Sequence, residues 1–273
     1  MKNLFNEIQI GIEKPFKIIH VSDTHLTFAD ERDNQRKNLL AKDREKGFPN
    51  AQKNLNEIEE YAAKTGYMVV HTGDLIDFVS HKNLDRAKEF YNSVDCFMVA
   101  GNHEFSQYVG EAWEDAGYRN QSLNAVQSAF DNDIRFSSKM VNGVNFVGID
   151  NGYYLFDKEQ YRSLKNEIKK GYPIILCMHV PLYQEELYRW RMSISPCAYL
   201  TATPKRLMKS YPEYRYRQQL ADKITKKMVR LIKNTKSIKA ILTGHVHHDF
   251  ECDLKNKVQY VTGVETVREI LIK

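Results

Sequence analysis

No stretch of the chain approaches the 18 or so consecutive apolar residues that a membrane-spanning helix requires. The opening Met1-Lys2-Asn3-Leu4-Phe5-Asn6-Glu7 has no apolar core of signal-peptide length. The expectation is therefore a protein that acts in the cytoplasm, off the membrane. Cysteine is scarce too: Cys96, Cys177, Cys197 and Cys252 are widely scattered and form no C-x-x-C pair. Such spacing argues against a disulfide framework and a thiolate zinc knot, and leaves buried free thiols as the reading. No repeat, low-complexity tract or linker divides the chain, so residues 1–273 read as one domain. Charge of one sign does not dominate either, since 40 Lys and Arg face 35 Asp and Glu for a net +5. That balance favours anionic partners in general and falls short of a nucleic-acid-binding surface. The remaining 42% apolar and 27% charged residues are an ordinary globular mixture.

Short apolar runs alternate with helical periodicity, which points to an α/β fold. A charged segment from Thr27 to Asn50 reads as a solvated loop with a short helix at most. From Ala51 to Lys64, Leu55, Ile58, Tyr61 and Ala62 fall at helical spacing, and Gly66 stands where that helix would stop. A helix over His81 to Asn92 follows, then broken helix and loop between Phe105 and Phe136, and a strand over Val144 to Ile149. Asp157 suits the N-cap of a helix running to Lys170, with Leu164 and Ile168 on its inner face. A helix from about Gln218 to Lys233 precedes the strand at Ala240, and Lys255-Asn256-Lys257 joins a final hairpin.

Chemistry collects where the strands end. Tyr67-Met68-Val69-Val70 leads into Gly73-Asp74-Leu75-Ile76-Asp77, two carboxylates three residues apart just past a buried strand. In open α/β folds ligands bind at the carboxyl ends of strands. Four more apolar runs end in the same kind of residue: Asp23-Thr24-His25, Gly101-Asn102-His103-Glu104, His179, and Gly244-His245-Val246-His247. Of the nine histidines, His20, His71, His81 and His248 have no such position and read as core or surface residues. The other five all lie at strand ends, a preference that core packing and solvation do not explain. Imidazole, carboxylate and amide donors without thiolate suit Mn²⁺, Fe, Zn²⁺ or Co²⁺ in a reactive site rather than a structural zinc.

Taken in order, Asp23-x-His25, Gly73-Asp74-x-x-Asp77, Gly101-Asn102-His103-Glu104, His179 and Gly244-His245-x-His247 resemble the five motifs of the calcineurin-like metallophosphoesterases, with no position missing. The resemblance implies an αββα four-layer sandwich with a dinuclear metal centre. One ion would be held by Asp23, His25, Asp74 and His247, and the other by Asp74, Asn102, His179 and His245, Asp74 bridging them. Two cations ~3.5–4 Å apart activate a shared water as hydroxide and clamp phosphate oxygens for in-line displacement. His103 falls outside the ligand set. The resemblance orients it by Asp77, as an imidazolium that stabilises the oxyanion or protonates the leaving alkoxide.

Substrate choice is less sharply written. The Ser/Thr protein phosphatases of this superfamily continue G-D-x-x-D with Arg-Gly, whereas Phe78-Val79 follows here, which argues against that branch. An insertion from Leu182 to Arg217 interleaves tyrosines with basic residues and leaves directly from His179. As a cap over the metals it would offer Arg189 and Arg191 to phosphate and Tyr188 to a base or sugar. As an ordinary insertion it would pack its tyrosines on the domain or a second subunit. The expected activity is hydrolysis of a phosphodiester or phosphomonoester in a small, nucleotide-like substrate. A nuclease of the same chemistry, acting on nucleic acid, and a non-catalytic scaffold are the alternatives.

Overall fold

The computed structural model describes residues 1–109 and 116–273, and the stretch 110–115 of the expected broken helix lies outside the described residues. In chain order the elements are β1 (Lys2–Ile8), β2 (Phe16–Val21), α1 (Gln35–Glu45), α2 (Ala51–Thr65), β3 (Met68–His71), α3 (His81–Ser93) and β4 (Cys96–Met98). There follow α4 (Ala116–Gln127), β5 (Phe136–Val141), β6 (Val144–Ile149), α5 (Lys158–Lys169), β7 (Ile174–Cys177) and α6 (Glu185–Ile194). The chain closes with α7 (Glu213–Gln219), α8 (Lys223–Asn234), β8 (Ile238–Thr243), β9 (Phe250–Asp253), β10 (Val258–Val261) and β11 (Thr266–Ile272).

The strands form two mixed sheets, ordered β1-β11-β2-β3-β4 and β5-β6-β7-β8-β10-β9. The apolar runs of strands β3, β4, β6 and β7 are continuous because both their faces are covered. In the first sheet Ile19, Val69 and Met98 meet Leu55, Ile58 and Phe90 of the helices, while Ile18, Val70 and Phe97 turn inward. In the second, Ile175, Cys177 and Leu242 meet that inner layer, and Ile174, Leu176 and Ile241 face Leu164, Met228 and Ile232 of α5 and α8. Two sheets flanked by helices give the four layers expected from the motifs.

Local signals explain the boundaries. Gly66 closes α2 at φ 68°, and Asp157 opens α5 in a reciprocal capping box with Gln160. The helix expected from Gln218 begins later, at Lys223, because Asp222 caps it by accepting from Thr225 N–H. Three strands escape the sequence reading. β1 and β11 pair in parallel and carry both ends of the chain into the first sheet, and β5 pairs antiparallel with β6. The charged segment does form a helix, α1, and none of its residues is buried.

The insertion packs a small core of its own. Leu187, Cys197, Leu200, Met208 and Tyr211 cluster against Val246, Cys252 and Val261, beside the β9–β10 hairpin. No helix among the described residues is long and apolar enough to cross a membrane.

Candidate metal centre

The carboxyl ends of the two sheets meet, and each motif arrives there from its own strand. Asp23 follows β2, Asp74 follows β3, Asn102 follows β4, His179 follows β7, and His245 and His247 follow β8. Backbone hydrogen bonds lash these loops together: Asp23 N–H donates to Gly73 C=O, His25 N–H to Asp74 C=O and Gly244 N–H to His179 C=O, each at 2.9 Å. The crossings are close enough to require glycine. A Cβ on Gly101 would stand 2.2 Å from Asp74 Oδ1, and one on Gly244 1.8 Å from Ser22 Oγ. Asp23, His25, Asp74, His245 and His247 all adopt left-handed backbone, with φ between 53° and 70°. Non-glycine residues avoid this region at a cost of about 1 kcal/mol or more, so its concentration here marks a site whose geometry the fold enforces.

The side chains converge in groups. Asp23, His25, Asp74 and His247 each place a ligand atom within 4.8 Å of the others, and Asp74, His179 and His245 form a second such group that shares Asp74. Asn102 is beside them, buried, with an Oδ1 that receives no hydrogen bond. Outer partners fix several imidazoles. His179 Nδ1–H donates to Thr72 C=O at 2.8 Å, His25 Nδ1–H to Asp77 Oδ1 at 2.9 Å, and His245 Nε2 meets the Tyr154 hydroxyl at 3.0 Å. The remaining nitrogens face inward, His179 Nε2 lying 3.1 Å from Asp74 Oδ2. Converging donors, oriented by outer hydrogen bonds, with an orphaned amide oxygen among them, fit a pair of hard or borderline cations.

Electrostatics agree with this chemistry. Burial opposes protonation of His179, yet the Asp74 carboxylate outweighs it and lifts the imidazole to about 9. For His247 burial wins, helped by His25, and holds the imidazole down at about 4, while burial and His179 keep His245 well below its ordinary value. Burial raises the Asp74 carboxyl, but His179, His103 and His25 more than reverse this and hold it ionised.

Asp77 and His103 form a separate cluster with His25. His103 Nδ1–H donates to the Asp77 carbonyl at 2.8 Å and lies 3.2 Å from its carboxylate. Burial pulls His103 down, and Asp74 and Asp77 raise it to about 10. Asp77 is not a helix cap, since Ser80 caps α3.

Three contributors were not foreseen. Arg44 of α1 donates to the Asp77 carboxylate from Nε at 2.6 Å. Phe48 stacks on the His25 ring, with centroids 4.1 Å apart and planes within 12°. Glu104, buried, accepts backbone N–H groups from Gly101, Asp74, Leu75 and Ile76 and so staples two motif loops. Only Glu104 had a sequence signal, as the last residue of Gly101-Asn102-His103-Glu104.

A cleft of about 1210 Å³ opens from this centre. Its lining includes Asp74, Asn102, His103, His245 and His247 together with Arg191, Tyr199, Tyr214 and Arg215 of the insertion. Of the substrate residues expected in the insertion, Arg191 faces the cleft. Arg189 pairs with Glu185 on the exposed side of α6, and the Tyr188 hydroxyl donates to Leu207 C=O inside the insertion. Both point away because α6 is held by its apolar face, through Leu187, against the hairpin.

The chain belongs to the calcineurin-like phosphoesterases, whose family model matches residues 16–249. It is accordingly a metallophosphoesterase, a hydrolase of phosphoric ester bonds that uses two metal ions. Solved structures of similar fold include a purple acid phosphatase from yellow lupin seeds, at 14% identity and TM-score 0.52 over 92% of this chain and 44% of that one. A dimetal phosphatase from Danio rerio aligns at 13% identity and TM-score 0.49 over 92% and 88% of the two chains. A 5'-nucleotidase from Candida albicans aligns at 12% and 0.45 over 97% and 46%. This chain thus spans less than half of the lupin and Candida proteins. No curated protein matches the sequence significantly.

Proposed function

We propose that residues 1–273 act as one catalytic domain that hydrolyses small, nucleotide-like phosphoesters. The observation that carries this reading is the cleft, whose lining combines the proposed metal residues with arginines and tyrosines of the insertion. Such a pocket suits a compact anion bearing a ring. The four buried free cysteines accord with a site of action in a reducing cytosol.

In this reading Asp23, His25, Asp74 and His247 hold one ion, and Asp74, Asn102, His179 and His245 the other, with Mn²⁺, Fe, Zn²⁺ and Co²⁺ as the fitting metals. When bound, the two ions supply Lewis-acid charge to the phosphate and an activated water at neutral pH. The chain's residues do the rest. Asp77 fixes the Nδ1 proton of His103, which leaves Nε2 to donate toward the cleft. There the imidazolium stabilises charge on the phosphoryl oxygens or hands its proton to the departing alkoxide.

A kinetic panel tests the reading, with the Mn²⁺-loaded protein acting on nucleoside monophosphates, cyclic nucleotides, dinucleotides and long single-stranded DNA. A kcat/KM at least about tenfold higher for one of the small classes is expected, the scale of one well-made charged hydrogen bond. Equal or faster cleavage of the long strand would make the protein a nuclease.

A further inference from the structure

We propose that His20 and His71, which the five motifs leave unassigned, are positioning residues: each is a fixed Nε2–H imidazole that anchors a threonine beside the metal ligands and so holds a ligand loop ready for metal uptake. This rests on the dinuclear reading of the centre and gives that centre an outer layer.

Both histidines are fully buried, on opposite faces of the first sheet. His20 shares the inner face with Ile18, whereas His71 shares the helix-covered face with Val69, where Phe90 of α3 meets its ring edge-on. A backbone donor dictates the His71 tautomer. Gly73 N–H donates to its Nδ1 at 3.2 Å, so the ring's proton sits on Nε2, which donates to Thr24 Oγ1 at 3.0 Å. A buried arginine dictates that of His20. Arg268 Nε donates to Thr262 Oγ1 at 3.0 Å, and the Thr262 hydroxyl gives its own hydrogen to His20 Nδ1 at 2.9 Å. His20 Nε2–H then donates to Thr72 Oγ1 at 2.9 Å. Burial keeps both imidazoles neutral, helped at His20 by the Arg268 charge, with His71 at about 3 and His20 well below its ordinary value. A neutral imidazole has one donor and one acceptor, and both rings use the two in full.

The threonines are well placed to matter. Thr24 stands between the proposed ligands Asp23 and His25, and Thr72 precedes Gly73-Asp74 and accepts the His179 Nδ1–H on its carbonyl at 2.8 Å. The His20 chain also crosses between the sheets. Arg268 and His20 lie in strands of the first, Thr262 follows β10 of the second, and His179 follows β7 of the second. A satisfied polar chain supplies the directional contacts that the apolar inner layer lacks. If these two positions only filled space, leucine would fill it without the cost of burying an imidazole.

Long-range ¹H–¹⁵N NMR of the metal-free wild type tests the tautomers, with His20→Gln and His71→Gln assigning the signals. Both rings should be neutral with the proton on Nε2 at about pH 7; an Nδ1–H or doubly protonated ring at either position overturns the proposal. Mn²⁺ calorimetry tests the positioning. His20→Leu and His71→Leu should each weaken uptake of at least one ion by about 10–100-fold, the usual weight of a group that orients a ligand. His20→Gln, whose amide can donate to Thr72, should recover part of the loss. Wild-type affinities in both leucine variants overturn the proposal. Should those variants not fold, Thr72→Val and Thr24→Val, which exchange only a hydroxyl for a methyl, carry the same expectation and the same refutation. If the wild type takes up no Mn²⁺, the dinuclear reading fails on its own. Hydrogen exchange at residues 22–26 and 72–77 then decides the positioning, about tenfold faster in the variants supporting it and equal exchange overturning it.

Discussion

Asp77 serves three neighbours at once: His25 Nδ1 at 2.9 Å, His103 Nδ1 at 3.2 Å and Arg44 Nε at 2.6 Å. Burial would raise its carboxyl, but these partners hold it far below the usual carboxylate range, so it remains an anion. It thereby couples a proposed metal ligand to a proposed acid. His103→Ala should keep its full metal content and lose about 10²–10⁴-fold in kcat, the usual weight of general acid catalysis; near-normal turnover measured beside metal analysis would remove His103 from the mechanism. The histidine protons also predict a pH dependence. His179, lifted to about 9, carries a proton at neutral pH, whereas His247, at about 4, does not. An ion that takes His179 Nε2 must displace that proton, so metal uptake should release protons below about pH 9 and affinity should rise as pH climbs toward that value. Titration calorimetry in buffers of different ionisation enthalpy measures this directly, and uptake without proton release at pH 7 would contradict it. These side chains were legible because each follows an apolar strand. Arg44 and Phe48 were not, since each reaches the centre alone from a charged segment whose pattern says only that it is solvated.

Helix α1 is held only weakly by the core. None of its residues is buried, and Arg44 with the following Phe48 fastens it to the centre. Phe48→Ala should speed hydrogen exchange of the α1 amides by about tenfold and leave those of β2 and β3 unchanged, as expected for local opening; equal acceleration throughout would show instead that Phe48 stabilises the whole fold. Strands and helices divided in how well the sequence announced them. β3, β7 and β8 are buried on both faces and read as apolar runs. β1 is an edge strand with a largely exposed pattern, and β11 carries Arg268 in its middle. That arginine is fully buried, satisfied by the Thr262 hydroxyl, the Val261 carbonyl and the Glu251 carboxylate, partners that only the fold brings to it. The cleft-facing side of the insertion was half legible. Interleaved tyrosine and arginine suggested a ligand surface, but which residues face the metals depends on how α6 seats against the hairpin.

For the whole molecule, the proposed centre spans the seam between the sheets. Each proposed ion draws ligands from the first sheet's loops, such as Asp23 or Asn102, and from the second sheet's His179, His245 or His247. Bound metal should therefore brace the two halves of the sandwich. Chelation should lower Tm by about 10 °C, as expected when a ligand near 1,000 Kd is withdrawn, and Mn²⁺ should restore it in differential scanning; an unchanged Tm would contradict bracing. The central claim, that a dinuclear centre bridged by Asp74 hydrolyses phosphoesters, is tested most directly by metal content and turnover measured together in wild type and Asp74→Asn. With Mn²⁺ and bis-p-nitrophenyl or p-nitrophenyl phosphate, the wild type should bind two ions per chain and turn over, whereas Asp74→Asn should lose at least one ion and at least about 10³-fold in kcat. Two ions without turnover in the wild type, or undiminished turnover in Asp74→Asn, would contradict the account.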